Sequence, residues 1–137
     1  MIKQRGSMKN KKKRKLSRDE LTYAKMAVVA ASFAYGVEDH EILGNRKPER
    51  VAVARQTAYW ILRKSGMSFT DISEVMGKKC HASPIYGYKH IENILELNIR
   101  GGYAVCIRKA FKHYKDFYKK YNKVKMERKI KELENAF

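Results

Sequence analysis

The sequence contains few of the residues that build metal sites, disulfide frameworks or membrane spans. Cys80 and Cys106 are its two cysteines and do not form a CxxC pair, and its four histidines are scattered. This spacing predicts neither a metal site nor a disulfide framework. No apolar run approaches the roughly 18 residues that cross a bilayer, and the chain begins with charged residues. We therefore expect a cytoplasmic protein without membrane association, and a nucleoid-associated one if its source is a bacterium or a phage.

The sequence also lacks the side-chain arrangements that are typical of enzymes. No catalytic constellation is present, and the phosphate loop G-x-x-x-x-G-K-[ST] is absent. We predict no enzymatic activity, no cofactor and no small-molecule substrate.

Acidic residues are scarce relative to basic ones. Lys and Arg total 31 and Asp and Glu total 14, which leaves a formal net charge of +17 on 137 residues. A surplus this large must face solvent, and its natural partner is a polyanion such as nucleic acid. The alternative is a charge that serves solubility alone. The 44% of hydrophobic residues is enough for one compact core.

The basic residues are densest in an N-terminal arm, residues 1–16, which contains no acid to offset them. Such a block repels itself, and we expect it to be disordered without an anionic partner. The arm is either a tail that binds nucleic acid through its charge or a tail that is simply solvated.

After the arm, the pattern predicts an all-α domain over residues 17–98. Ser17 and Glu20 form a capping box for a helix that runs to about Tyr35, and Gly36 ends it. A short helix over 37–43 follows, and Pro48 opens a helix that ends before Gly66. Apolar residues recur at helical spacing along it.

The next segment predicts a helix-turn-helix. Ser68 caps a short helix over 69–76, Gly77 turns the chain, and Ser83 with Pro84 is a typical start for a recognition helix. The start of such a helix reaches base edges in the major groove of duplex DNA. The candidates for contact are Lys78, Lys79, His81, Ala82, Ser83, Tyr86 and Lys89. For His81 and Ser83 the alternative is local turn chemistry without DNA.

Residues 103–137 predict a long amphipathic helix. Its first apolar run contains Phe111, Tyr114, Tyr118 and Tyr121 among lysines, and a second run begins at Met126. The aromatic stripe fits packing on the domain or across a homodimer, or stacking on single-stranded bases; packing is the more usual role of this spacing. The histidines at 40, 90 and 113 have no partner spacing, and we expect them at the surface.

The stretch from 54 to 93 resembles the C-terminal, Trp-repressor-like DNA-binding domain of the bacterial replication initiator DnaA. The family pattern runs roughly ARQ-x-A, S-x-x-E-I-G-x-x-F-G, RDHTTV-x-H and KIE. The matching residues are Ala54, Arg55, Gln56, Ala58, Ser68, Ile72, Gly77, His81, Ile91 and Glu92. The resemblance covers about residues 23–98 and is strongest over 45–92.

The resemblance implies roles for further residues. A basic loop reaches the minor groove in that family, and its counterparts here are Lys47 and Arg46. Arg55 and Gln56 correspond to residues that contact the DNA backbone and the groove edge. The base-reading D-H-T-T cluster corresponds to residues 80–83.

The chain departs from this pattern where bases would be read. Cys80 replaces the acid, Ala82 the first threonine and Pro84 a valine. Loss of the carboxylate removes an acceptor for a cytosine amino group, so we do not expect recognition of the initiator's nine-base box. Without the phosphate loop and the ATPase module, we do not expect a full initiator.

The sequence therefore predicts a non-catalytic protein that binds double-stranded DNA. The expected role is a transcriptional regulator or a replication-associated accessory factor, and the stand-alone architecture suggests a phage or mobile element. The alternative is a structural or interaction protein with a degenerate DNA-binding face, which docks a protein partner through the 103–137 helix. RNA binding is a third hypothesis.

Overall fold

The computed structural model describes residues 16–45, 47–78, 80–97 and 102–136, and these residues contain six α-helices and no β-strand. The predicted all-α fold is thus confirmed. The helices are α1 (Arg18–Tyr35), α2 (Asp39–Leu43), α3 (Glu49–Lys64), α4 (Phe69–Val75), α5 (Ala82–Glu96) and α6 (Gly102–Ala136).

Helix α1 begins and ends where the sequence predicts. The Ser17 hydroxyl accepts a hydrogen bond from the Glu20 backbone N–H at 3.1 Å, and the Glu20 carboxylate accepts one from the Ser17 N–H at 2.9 Å. Gly36 ends the helix at φ 67°, a left-handed conformation that favours glycine. The small buried residues of α1, such as Ala27 and Ala31, let the neighbouring helices approach closely.

Helix α3 is the centre of the fold. Nine of its 16 residues are buried, and it contacts α1, α2, α4, α5 and α6. A helix that is apolar around most of its circumference is stable only inside a core. Each buried aliphatic side chain such as Ile61 or Leu62 contributes about 1.5–3 kcal/mol of transfer free energy. Residues on the remaining face of α3 are therefore held on a rigid support.

The first half of α6 packs on α1. Ala104, Ile107, Ala110 and Tyr114 are buried, and Tyr118 stacks on Tyr23 with ring centroids 5.2 Å apart. The interpretation of the aromatic stripe as a packing face is thus confirmed for this part of the helix.

A polar cluster holds the middle of α6 against the start of α1. The Tyr121 hydroxyl donates to Asp19 Oδ1 at 2.5 Å, and the Lys125 ammonium bonds the other oxygen of the same carboxylate. These hydrogen bonds lower the pKa of Asp19. Beyond this cluster every described residue of α6 is exposed, including Met126, Ile130 and Leu133. We call residues 126–136 the α6 tail.

Candidate nucleic-acid interface

Helices α4 and α5 are joined by a turn that depends on glycine. The Ser68 hydroxyl caps α4 by accepting a hydrogen bond from the Asp71 N–H at 3.1 Å. Gly77 follows α4 at φ 71°, and the Lys78 N–H then donates to the Ser73 carbonyl at 2.7 Å. Helix α4 thus ends at this turn, and α5 is the second helix of a helix-turn-helix.

Helix α5 begins earlier than the sequence predicts. Ser83 was the expected N-cap, but His81 occupies that position and Ala82 is the first helical residue. Pro84 is tolerated one position after Ser83 because N–H groups in the first helical turn have no intrahelical acceptor. The His81 side chain makes no cap hydrogen bond. The Ser83 hydroxyl is therefore not used as a cap, and the residue is exposed in the first turn of α5.

Gly87 allows α5 to lie directly on α3. A Cβ atom at this position would lie 2.9 Å from Gln56 Cγ and 2.9 Å from Tyr59 Cδ2. Those distances are shorter than carbon atoms tolerate, so a larger residue would push the two helices apart. The close approach fixes the position of the α5 first turn relative to α3.

Two side-chain pairs also hold α5 on α3. His90 Nδ1 and Gln56 Oε1 lie 2.6 Å apart, and the Trp60 indole N–H donates to Glu92 Oε2 at 2.7 Å. His90 was expected at the surface, but it is half-buried and its ring is paired with Gln56. Its partner is far away in sequence and could not be recognised from spacing.

A cleft of about 540 Å³ opens between the α2–α3 loop, α3 and the start of α5. The described residues that line it include no Asp or Glu but include three cations, Lys47, Arg55 and Lys78. Six of the eleven DNA-binding residues predicted from sequence line it: Lys47, Arg55, Gln56, Lys78, Ser83 and Tyr86. Three separate segments of the sequence thus meet at one cationic surface, which we call the α3–α5 cleft.

Arg55 is half buried at the wall of this cleft. Its guanidinium donates to the Ile42 carbonyl at 2.7 Å and to the Glu41 carbonyl at 2.8 Å. Arg55 therefore anchors the end of α2 to α3, in addition to any contact with a ligand. Burial lowers the pKa of the guanidinium, because it removes the charge from water.

Lys78 has a similar position in the turn. Its ammonium donates to the Gly44 carbonyl and to Asn45 Oδ1, both at 3.1 Å, and so ties the turn to the α2–α3 loop. Burial lowers the pKa of Lys78, and the nearby charge of Arg55 lowers it further. Two cations thus share a partly buried cleft, and a bound anion would stabilise both.

The other predicted residues of α5 and its N-cap are open to solvent. Tyr86 is 68% exposed. The remaining exposed residues are His81, Ala82, Ser83 and Lys89. Lys47 is also exposed, at the opposite rim of the cleft. These side chains can reach a ligand without any change of the core.

Some predicted residues lie outside the described residues. These are Arg46, Lys79 and residues 1–15 of the basic arm.

Sequence analysis did not select Asn45 and Tyr59, which also line the cleft. Tyr59 belongs to the core of the domain, at 2% exposure. The signal that could have identified it is its phenol, because a buried tyrosine hydroxyl usually needs a partner.

Within the described ranges, no group of three or more His, Cys, Asp or Glu side chains could hold a metal ion. None of the helices described is long and apolar enough to cross a membrane.

Comparison with known proteins adds to this geometry. Residues 26–91 match the family model described as the bacterial DnaA protein helix-turn-helix. Among solved structures, the fold is similar to that of a DNA replication initiation factor, with a TM-score of 0.58 and 23% sequence identity. The match covers 69% of this chain and 30% of that chain, so this protein spans less than a third of the initiation factor. No curated protein sequence matches the chain. Residues 26–91 therefore contain a helix-turn-helix domain like that at the C-terminus of bacterial DnaA.

Proposed function

We propose that this protein binds double-stranded DNA through the α3–α5 cleft and the exposed start of α5, and that it performs no catalysis. The observation that carries the proposal is the convergence of six predicted DNA-binding residues on one cleft without a carboxylate. A cationic surface of this kind beside the second helix of a helix-turn-helix matches the charge and the groove of duplex DNA.

In this proposal α5 lies in the major groove. His81, Ala82 and Ser83 occupy the N-cap and the first turn, the part of a recognition helix that meets base edges. His81 and Ser83 can donate hydrogen bonds to base acceptors, and the Ala82 methyl can contact a thymine methyl. Lys47 and Lys89 lie at exposed positions from which they can neutralise phosphates. Lys79 and Arg46 complete the predicted set.

The sequence that is read should differ from the initiator's nine-base box. The acidic residue of the base-reading cluster is replaced by Cys80, which is exposed beside the start of α5. A thiol cannot replace a carboxylate as a strong acceptor for a cytosine amino group. We propose that its biological role is that of a transcriptional regulator or a replication-associated accessory factor, in the cytoplasm or nucleoid of a bacterium carrying a phage or mobile element.

We further propose that two copies pair through the α6 tail. Its exposed apolar residues follow heptad spacing, with Met126 and Leu133 at d positions and Ile130 at an a position. In a parallel pair, Lys129 at g would face Glu134 at e of the second copy, which favours that orientation. A coiled coil of two heptads is only marginally stable by itself. Pairing should therefore depend on the high local concentration of two copies bound to the same DNA.

The rival hypothesis is an interaction protein whose DNA-binding face is degenerate and whose α6 tail docks a different protein. Binding of labelled random-sequence duplex DNA, single-stranded DNA and duplex RNA at two salt concentrations distinguishes these functions. We expect the tightest binding to duplex DNA, with an affinity that falls as salt rises. Selection of bound duplexes from a random pool should then recover a preferred sequence. Equal, weak binding to all three nucleic acids would support the rival.

A further inference from the structure

Tyr59 has a buried hydroxyl without a hydrogen-bond partner. Among the described residues that are not exposed, no other buried side-chain nitrogen or oxygen atom lacks a hydrogen-bond partner. Tyr35, which is equally buried, differs because its hydroxyl lies 2.7 Å from the Thr57 hydroxyl. Buried polar groups are nearly always paired in folded proteins, because an unpaired group loses its bonds to water and gains nothing in return. An unpaired hydroxyl at a defined place therefore points to a ligand.

The place is the α3–α5 cleft, which Tyr59 lines together with Lys47, Lys78 and Ser83. Ser83 is the second residue of α5, and the N–H groups of a first helical turn have no intrahelical acceptor. The positive end of a 15-residue helix therefore borders the same cleft as the three cations. The cations and the helix N-terminus of the cleft together favour an anion that accepts several hydrogen bonds.

Burial raises the pKa of Tyr59 to about 12, so the phenol stays protonated at neutral pH and can act as a donor.

The site also requires a glycine at position 87. The space that a side chain at position 87 would take is filled by Gln56 and by the Tyr59 ring. The two residues form a complementary pair in which the absent side chain of one makes room for the phenol of the other.

We propose that the α3–α5 cleft is a seat for one phosphodiester group of the DNA backbone, and that the Tyr59 hydroxyl donates a hydrogen bond to it beside Ser83 and Lys47. This inference rests on the proposed function and specifies one contact within it. The hydroxyl is closed to solvent in the free protein, so the phosphate reaches it when a side chain at the mouth of the cleft turns aside. The candidate for this movement is Tyr86, which also lines the cleft and is 68% exposed.

The test compares two buried tyrosines, one whose hydroxyl has a hydrogen-bond partner and one whose hydroxyl has none. Tyr59→Phe removes an unpaired hydroxyl, so the free protein should unfold at the same temperature or slightly higher, while affinity for duplex DNA falls about tenfold. Tyr35→Phe removes a paired hydroxyl, so its unfolding temperature should fall by about 2–6 °C with DNA affinity unchanged. If Tyr59→Phe lowers the unfolding temperature as Tyr35→Phe does, its hydroxyl has a structural role and the inference is wrong.

Single methylphosphonate substitutions along the bound duplex locate the contact. At one position, the neutral linkage should lower the affinity of the wild type for the duplex. It should cause no further loss of affinity in Tyr59→Phe, because that variant already lacks the contact. If the effects of the methylphosphonate and of Tyr59→Phe on affinity add at every position, the phosphate seat is contradicted.

Inorganic phosphate is the second probe. If it stabilises the wild type but not Tyr59→Phe, while both bind duplex equally, the cleft takes a small phosphate ligand and the backbone assignment fails.

The outcomes separate this inference from the proposed function. Duplex binding by the wild type and by Tyr59→Phe with equal affinity would reject the phosphate seat and leave DNA binding intact. Absence of duplex binding by the wild type would reject both.

Discussion

The indole N–H of Trp60 donates to Glu92 Oε2 at 2.7 Å, and this hydrogen bond joins the central helix α3 to the recognition helix α5. Lys64 lies 3.2 Å from the same carboxylate oxygen. Because Trp60 is 5% exposed, its N–H depends on Glu92 for a partner. The pair fixes the far end of α5, as Gly87 fixes its middle.

Replacement of Glu92 should change stability according to whether an acceptor remains. Glu92→Ala leaves the Trp60 N–H unpaired and should lower the free energy of unfolding by about 1–3 kcal/mol. Glu92→Gln keeps an amide oxygen and should cost less. Chemical denaturation followed by the fluorescence of the single tryptophan measures both. Equal losses would show that the hydrogen bond does not matter.

Glu92 also predicts a pH dependence. The hydrogen bond from Trp60, with a further contribution from Lys64, lowers the pKa of Glu92 below its ordinary value of 4.5. A carboxyl group with a lowered pKa stabilises the fold above its unfolded-state pKa, and this contribution disappears as pH falls through the folded-state value. Below pH 4.5 the wild type should therefore lose stability more steeply than Glu92→Gln. Parallel pH profiles would contradict this assignment.

Gly87→Ala should separate the helices that form the cleft. Its methyl group meets Gln56 and Tyr59 at 2.9 Å, and the resulting strain should cost about 1–3 kcal/mol, which exceeds the gain of up to about 1 kcal/mol from better helix propensity. DNA affinity should fall as well, because the first turn of α5 moves. Asn93→Ala, at an exposed position of the same helix, is the matched control and should be nearly neutral. Wild-type melting and binding by Gly87→Ala would show that the contact is not tight.

The local features of the fold were predictable because they depend on neighbouring residues. The capping box of Ser17 and the turn at Gly77 are local, and both occur where expected. The start of α5 was not predicted correctly, since Ser83 and Pro84 satisfy the rules for an N-cap pair as well as for the second and third helical positions. Local pattern alone does not separate these two registers.

The long-range features of the site could not be read from the sequence. The pairing of Gln56 with His90 joins residues 34 positions apart. The unpaired state of the Tyr59 hydroxyl depends on everything that surrounds it in three dimensions. The resemblance to the DnaA domain indicated that Arg55 belongs to the DNA-binding face, but its bonds to α2 carbonyls emerge only from the structure.

The basic arm should contribute to affinity without contributing to sequence preference. If arm and reader together neutralise about six phosphates, the logarithm of the binding constant should fall against the logarithm of salt concentration with a slope of about −5. Deletion of residues 1–16 should make that slope shallower and leave the sequence preference in place. A salt titration of both proteins on two duplexes tests this. A flat response of the full chain would contradict the electrostatic part of the account.

The α6 tail should mediate pairing on DNA. Ile130→Asp introduces a charge at the centre of the apolar stripe, whereas Asn135→Asp introduces the same charge at an f position. We expect the first variant to lose cooperative binding to a duplex with two sites and the second to retain it. Sedimentation of the protein–DNA complexes gives the stoichiometry. Identical behaviour of the two variants would indicate that the tail has another partner or none.

The central claim is that duplex DNA binds at the α3–α5 cleft rather than through net charge alone, and a pair of charge-reversal variants tests it most directly. Lys47→Glu with Lys89→Glu changes the proposed interface, and Lys112→Glu with Lys119→Glu changes exposed positions of α6. Each variant lowers the formal net charge from +17 to +13, because each exchange removes two positive units. By fluorescence anisotropy on one duplex, the Lys47 and Lys89 variant should bind on the order of a hundredfold more weakly and the α6 variant only a few-fold more weakly. Equal losses in the two variants would contradict the account.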